Sequence, residues 1–262
     1  MERIDDISTN MAFSYDEVVA NIRASERRGL RQIHELPDWR EAMPVALVGG
    51  GPSLQDTLPE LRRFYHVMAC GSVYDFLIDQ GIVPRWCVVC DPDPVMANYL
   101  RLANRSTTFL VASQCDEAVF RVLEDCNVAI WHCGGDKETN ESIWNTERTM
   151  VVGGGTTVAT RAMIIAMCFG FTRMNLFGMD TCVRNGVTHA YTVGEPIGDL
   201  YPIRIGLDGQ DFMMAKYHVA QLRDFKLVLK LYGHRMGFTV HGDGALAELM
   251  RLGSETAQRK AA

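Results

Sequence analysis

Short apolar runs that alternate with amphipathic stretches predict an α/β protein, built as an open, doubly wound, mostly parallel sheet with helices on both faces. Three observations carry this expectation. The runs are apolar throughout, as strands covered on two sides must be. Helix-length segments separate them, as parallel crossovers require. Glycine-rich turns follow several of them, at the carboxyl ends where a Rossmann-like sheet collects its ligands.

The elements follow in order. Residues 1–43 read as a polar helical extension, because FSYDEVVANIRASERRGLRQIHEL mixes apolar and charged positions at helical intervals before Pro37. Residues 44–262 read as one catalytic α/β domain. Its predicted strands are VALVG (45–49), HVMAC (66–70), WCVVCD (86–91), TTFLVA (107–112), NVAIWH (127–132), MVV (150–152) and RMNLFGMD (173–180). Between them LPELRRF, SVYDFLIDQG, PVMANYLRLA, CDEAVFRVLED and TTVATRAMIIAMCFG read as helical. Residues 133–149 are polar and predict a loop over the sheet edge, flanked by Trp131 and Trp144 as a candidate lid. Residues at about 183–210 carry NG, VG and DG dipeptides around YPIRIGL and predict an inserted loop and hairpin. A long helix over 211–235 and a last strand, FTVHG (238–242), complete the chain.

Composition excludes other classes. The chain has 262 residues, 47% hydrophobic, with 26 basic against 32 acidic side chains. A chain of this size buries roughly 70–75% of its unfolded surface, so neither disorder nor a fibre is expected. The net charge of −6 argues against duplex nucleic acid as a partner. The opening MERIDDISTN is acidic where a secretory signal would be basic, and no 18-residue uncharged apolar run occurs, so a cytoplasmic protein without membrane contact is expected. Homo-oligomerisation is expected only because soluble enzymes commonly assemble symmetrically. The eight cysteines predict reduced, mostly buried thiols; Cys87 and Cys90 have CxxC spacing but lie in a strand, and Cys126 and Cys133 have no second pair nearby in sequence.

Chemistry is expected just after the strands. Gly49-Gly50-Gly51-Pro52-Ser53 follows the first core strand and Gly153-Gly154-Gly155-Thr156-Thr157 follows the 150s strand. Such turns offer backbone N–H groups without a Cβ in the way, and Ser53 or Thr156 can begin a helix, which makes an anion nest suited to phosphates. Tight packing turns fit the same residues. Gly71 and Ser72, after HVMAC, join the candidate nucleotide contacts. Neither a GxxxxGK[ST] loop nor a full G-x-G-x-x-G spacing is present. Asp91 and Asp180 each follow a strand, where a carboxylate suits Mg²⁺ or a ligand hydroxyl, with Asp93 as a possible third; capping and turn formation fit aspartates too. His189, in GVTHAY, is the histidine best situated to meet the crevice, as a ligand contact or acid–base group; His218 and His234 read as helix-face residues and His241 stays open. Arg161 and Lys216 are candidate phosphate partners, which solvated helix faces explain equally well; Trp86, Trp131, Trp144 and Tyr191 are candidate ring contacts, although Trp86, at a strand start, reads first as core.

GGGPSL at 49–54, DPDP after the third strand, GGGTTVATRA and NLFGMD…THAY together resemble the family of the archaeal 6-hydroxymethylpterin pyrophosphokinase, the MptE-like family, over about 45–195. That family also contains motility accessory factors linked to flagellin glycosylation, and its glycine-rich opening is similar to that of certain bacterial sialyltransferases. The resemblance implies Mg²⁺-dependent diphosphate transfer from ATP to a small hydroxymethyl acceptor. Gly49 to Ser53 and Gly154 to Thr157 would then surround the nucleotide phosphates, Asp91 and Asp180 would bind metal, and His189 would lie near the transferred group. A glycosyltransferase with a nucleotide-sugar donor needs a similar cradle plus a base, which makes His189 matter more than the metal. A nucleotide-binding module without turnover is the third alternative.

Overall fold

The computed structural model describes residues 13–36, 43–134, 150–194, 197–206 and 209–261. The predicted class is the one observed. Strands β1 (Arg31–Gln32), β2 (Val45–Val48), β3 (His66–Cys70), β4 (Trp86–Val89), β5 (Thr108–Ala112), β6 (Asn127–Cys133), β7 (Val151–Val152), β8 (Arg173–Phe177) and β11 (Gly237–His241) form one sheet. Along it the order is β1-β6-β5-β4-β3-β2-β8-β11, with β7 paired to β6, and all these pairings are parallel. Strands β2, β3 and β4 are buried along their whole length, which is why VALV, HVMAC and WCVV carry no solvent-facing alternation.

The helices are α1 (Tyr15–Glu26), α2 (Leu54–Leu61), α3 (Tyr74–Asp79), α4 (Glu117–Val122), α5 (Val158–Cys168), α6 (Lys216–Tyr232) and α7 (Ala245–Ala261). Helix α1 starts at a capping box in which Ser14 and Glu17 satisfy each other's backbone N–H groups. It does not continue through the expected extension: Arg31 and Gln32 pair with Ala129 and Ile130 as the sheet's edge strand. Ser25 Oγ donates to Ser113 O and Asn21 Nδ2 to Gln114 O, so α1 is held against the end of β5.

Two further expectations are corrected. Residues 211–214 are not the start of the long helix; Asp211–Met214 is strand β10, antiparallel to β9 (Tyr201–Arg204), and α6 begins at Lys216. The reason is local: DFMM alternates exposed and buried positions, and Arg204 pairs with Asp211 across the hairpin. PVMANY forms a 3₁₀ turn, with Pro94 opening it and Asp93 accepting from Val95 N. The proposed lid lies mostly outside the described residues, Trp144 included. Trp86 and Trp131 are core residues, and Trp131 Nε1 donates to Leu110 O.

Candidate active site

The sheet order reverses at β2. From β2 the chain moves stepwise to β6 in one direction, whereas β8 lies on the other side of β2. A parallel sheet opens a crevice beyond its carboxyl ends at such a point, because the loops leave in opposite directions. Gly49–Gly51 and Gly178–Asp180 are the two loops that part there.

They are interlocked. Gly49 N donates to Phe177 O at 2.8 Å and Gly51 N to Gly178 O at 2.7 Å, while Ser53 N donates to Asp180 Oδ2 at 3.0 Å. The expected nest of open amides in the first turn is therefore largely spent on holding β2 to β8, and Pro52 has no N–H to offer. Gly178 has φ +58°, a left-handed conformation, and a Cβ there would collide with Gly49 O; a Cβ on Gly51 would collide with Asp180 Oδ2 and come within 2.8 Å of Gly178 O. Burial raises the Asp180 carboxyl above its usual range, although hydrogen bonding from Ser53 opposes this.

The second turn is anchored too. Thr156 N and Oγ1 each donate to Asp224 Oδ2 at 2.7 Å, a partner on α6 that nothing in local sequence announces. Thr157 Oγ1 accepts from Ala159 N and begins α5. Gly154, at φ +126°, packs on Arg161. Arg161 is buried and donates to Val152 O at 2.7 Å and Gly134 O at 3.2 Å, so its guanidinium holds two strand ends together. Lys216 is exposed and absent from the cavity wall.

These loops enclose a cavity of about 790 Å³. Its wall includes Gly49, Gly50 and Gly51, then Gly71 and Ser72, Asp91 and Asp93, and Gly155 with Thr156 and Thr157. Asp180 and His189 also line it, whereas Pro52, Ser53 and Gly154 do not. Asp91 Oδ1 accepts from Asp93 N at 3.0 Å and Asp93 Oδ1 from Val95 N at 2.8 Å, an Asx-type turn. Burial raises the Asp91 carboxyl, opposed by the Asp93 amide. Ser72 Oγ lies 2.7 Å from Tyr191 Oη, and Tyr191 stacks on Phe76.

His189 stands over the first glycine turn. A Cβ placed on Gly50 would be 2.7 Å from its Cδ2, and Ala190 N donates to Gly50 O at 2.8 Å. Its Nδ1 lies 2.9 Å from Thr188 Oγ1, and burial lowers its pKa, so the ring is neutral at pH 7. His218, expected on an ordinary helix face, lines the same cavity; its Nδ1 accepts from Ala215 N, and burial, with His189 beside it, lowers its pKa to about 4. Gln114, Thr181 and Gln221 also reach the wall without a sequence signal to mark them.

For a metal, Asp91 and Asp180 offer hard oxygens of the kind Mg²⁺ takes, but one oxygen of each already accepts a backbone N–H and Asp93 is committed to its turn. Among the described residues no group of three or more His, Cys, Asp or Glu is gathered to hold an ion. The fit is thus to a cation that takes one or two carboxylates and completes its shell from substrate phosphates. Among the described residues, no helix is long and apolar enough to cross a membrane.

Comparison with known proteins gives four results. A family model described as 6-hydroxymethylpterin diphosphokinase MptE-like matches residues 17–186. The structure is similar to that of the MAf glycosyltransferase from Magnetospirillum magneticum AMB-1, with TM-score 0.68 and 17% identity, covering 96% of this chain and 43% of that one. This chain therefore spans less than half the length of that protein. A mammalian sialyltransferase matches at TM-score 0.44 and 9% identity, covering 92% of this chain and 82% of its own. The comparison with curated proteins gives no match.

Proposed function

The chain belongs to the 6-hydroxymethylpterin diphosphokinase MptE-like family, and from that premise we propose that it is a nucleotide-dependent transferase that passes a glycosyl group from a nucleotide-sugar to an acceptor hydroxyl. The observation that carries this reading is His189: a neutral, half-buried imidazole on the cavity wall, beside the glycine turn at the reversal of the sheet.

Transfer to a hydroxyl needs a group to remove its proton as the new bond forms. When His189 Nδ1–H donates to Thr188 Oγ1, the lone pair on Nε2 is the base. The donor phosphate then faces the start of α5, whose aligned peptide dipoles favour an anion at Thr157 and Val158. Charge balance favours a donor with few phosphates. Asp91, Asp93 and Asp180 share a wall on which the one described cation, Arg161, is already bonded to two carbonyls. A sugar donor with one or two phosphates asks less compensation of such a wall than a nucleoside triphosphate does.

The carboxylates support a second reading, diphosphate transfer from ATP to a small hydroxymethyl acceptor. In that case Asp91, with Asp180, would hold Mg²⁺, which would neutralise the transferred phosphates. Calorimetric titration with CMP, CDP, UDP and ATP, each with and without Mg²⁺, separates the two. Metal-independent binding of a nucleoside mono- or diphosphate is expected; ATP binding only with Mg²⁺ would replace glycosyl transfer by diphosphotransfer.

The acid side of the pH profile gives an independent check. Unprotonated His189 is the active form and burial holds its pKa below the ordinary 6.5, so the midpoint of the acid-side fall in kcat/KM should lie below pH 6.5. A decline already complete above pH 6.5 would remove His189 as the base.

A further inference from the structure

The carboxyl ends of β4 and β6 bring two cysteines together that lie 43 residues apart in sequence. Cys90 Sγ is 3.8 Å from Cys133 Sγ, and both residues line the cavity. Cys133 ends β6 and Cys90 directly follows β4, with β5 between the two strands. Sequence reasoning gave Cys133 no partner; the fold supplies one.

Their surroundings orient the pair. Gln114 Nε2 donates to Cys90 O at 2.7 Å and lies 3.8 Å from Cys90 Sγ, which fixes the turn on one side. On the other side, the guanidinium of Arg161 holds Gly134 O, next to Cys133. Cys90 is partly exposed and Cys133 is 6% exposed, so a small molecule in the cavity meets Cys90 first. The two sulfurs must close by less than about 2 Å to bond, and because a disulfide holds its Cα atoms within about 7 Å whereas strands two apart lie about 9–10 Å from each other, the turn after β4 shifts toward β6 on oxidation. Of the other six thiols, Cys70, Cys87, Cys115 and Cys182 are buried, Cys126 is half-buried and Cys168, on α5, is exposed.

We propose that Cys90 and Cys133 are a reversible thiol–disulfide site in the cavity wall, oxidised by low-molecular-weight disulfides. The Cys90 thiolate attacks one sulfur of R–S–S–R, forming a mixed disulfide and releasing R–S⁻, which takes up the proton Cys90 lost. The Cys133 thiolate then attacks the Cys90 sulfur and releases the second R–S⁻, which takes the Cys133 proton. Two protein thiols become one disulfide and one small disulfide becomes two thiols, so atoms and electrons balance. The new bond ties the Asp91–Asp93 turn, which begins next to Cys90, to the end of β6. This holds whichever transfer reaction the cavity performs.

The test uses the full chain incubated with oxidised glutathione or with dithiothreitol, followed by alkylation and peptide mapping by mass spectrometry. A peptide pair linking Cys90 to Cys133 is expected after oxidation and lost on reduction. In Cys133→Ser, Cys90 should carry one glutathione instead. Amide exchange of the peptide spanning 91–95 should slow in the oxidised wild type, a readout independent of turnover and of any variant's folding. Thiol loss confined to Cys168, or a link between Cys90 and Cys115 in place of Cys133, would overturn the proposal.

Discussion

Replacing His189 by asparagine is expected to lower kcat by about 10²–10⁴-fold while nucleotide affinity changes little, because a positioned base contributes an effect of that size to proton transfer. Asparagine keeps a polar group beside Thr188 and adds no bulk over Gly50, so the cavity should persist. The lost function is the acceptor lone pair on Nε2. Two measurements together make the test: steady-state turnover, and calorimetric affinity for the nucleotide that the wild type binds. Loss of turnover with affinity retained supports the base assignment. Loss of both together would mean that His189 mainly braces the glycine turn, to which its neighbour Ala190 is already tied by donating its N–H to Gly50 O. Turnover equal to wild type would end the assignment. Histidine at 218 is the natural comparison, since its Nδ1 is already engaged with Ala215 N and its pKa is lowered to about 4.

The second large effect concerns Gly51. Gly51→Ala should destabilise the protein by about 1–3 kcal/mol, as overpacking of a rigid site does, and abolish nucleotide binding along with it. The added methyl would strike Asp180 Oδ2 and a backbone carbonyl, Gly178 O, that cannot turn away without losing the Gly51 N bond. Asp180 cannot retreat either without releasing Ser53 N. Thermal unfolding measures the stability change. The matched control is Gly253→Ala in α7, where a Cβ meets nothing within 4 Å and alanine should be neutral or stabilising by about 0.5–1 kcal/mol. Equal melting temperatures for Gly51→Ala and wild type would show that the interlock between the two loops yields easily.

Much of this arrangement is legible in the amino-acid sequence, and the boundary is a physical one. Strands such as VALV and HVMAC are readable because burial on both faces leaves a continuous apolar run, and the glycines after them because no Cβ fits. The clustering of Gly50, Asp91 and His189 in one crevice follows from the carboxyl-end rule. What escapes is everything set by strand order. Nothing local states that β8 lies against β2, so the use of Gly51 N and Ser53 N on the neighbouring loop was invisible, and those amides read as open. Asp224 at Thr156, His218 in the cavity and Cys90 against Cys133 are partnerships of the same kind. The DFMM segment shows the opposite failure: four residues carry too little periodicity to separate a strand from a helix start, and the Arg204–Asp211 pair decides.

The parallel pairing of β2 with β8 also has a consequence in time. Val45 meets Met174, and Arg31 meets Ala129, so the first strands made wait for partners that are synthesised much later. Closing such long loops is entropically costly and slow, which makes the crevice a late product of folding. During synthesis, β2 to β6 can assemble in order as they emerge, but Gly49–Gly51 gains its lock only when Gly178 and Asp180 arrive. A nascent chain short of residue 180 therefore has a sheet without the crevice, and a ligand that binds there, added during refolding, should stabilise the product without accelerating the early steps.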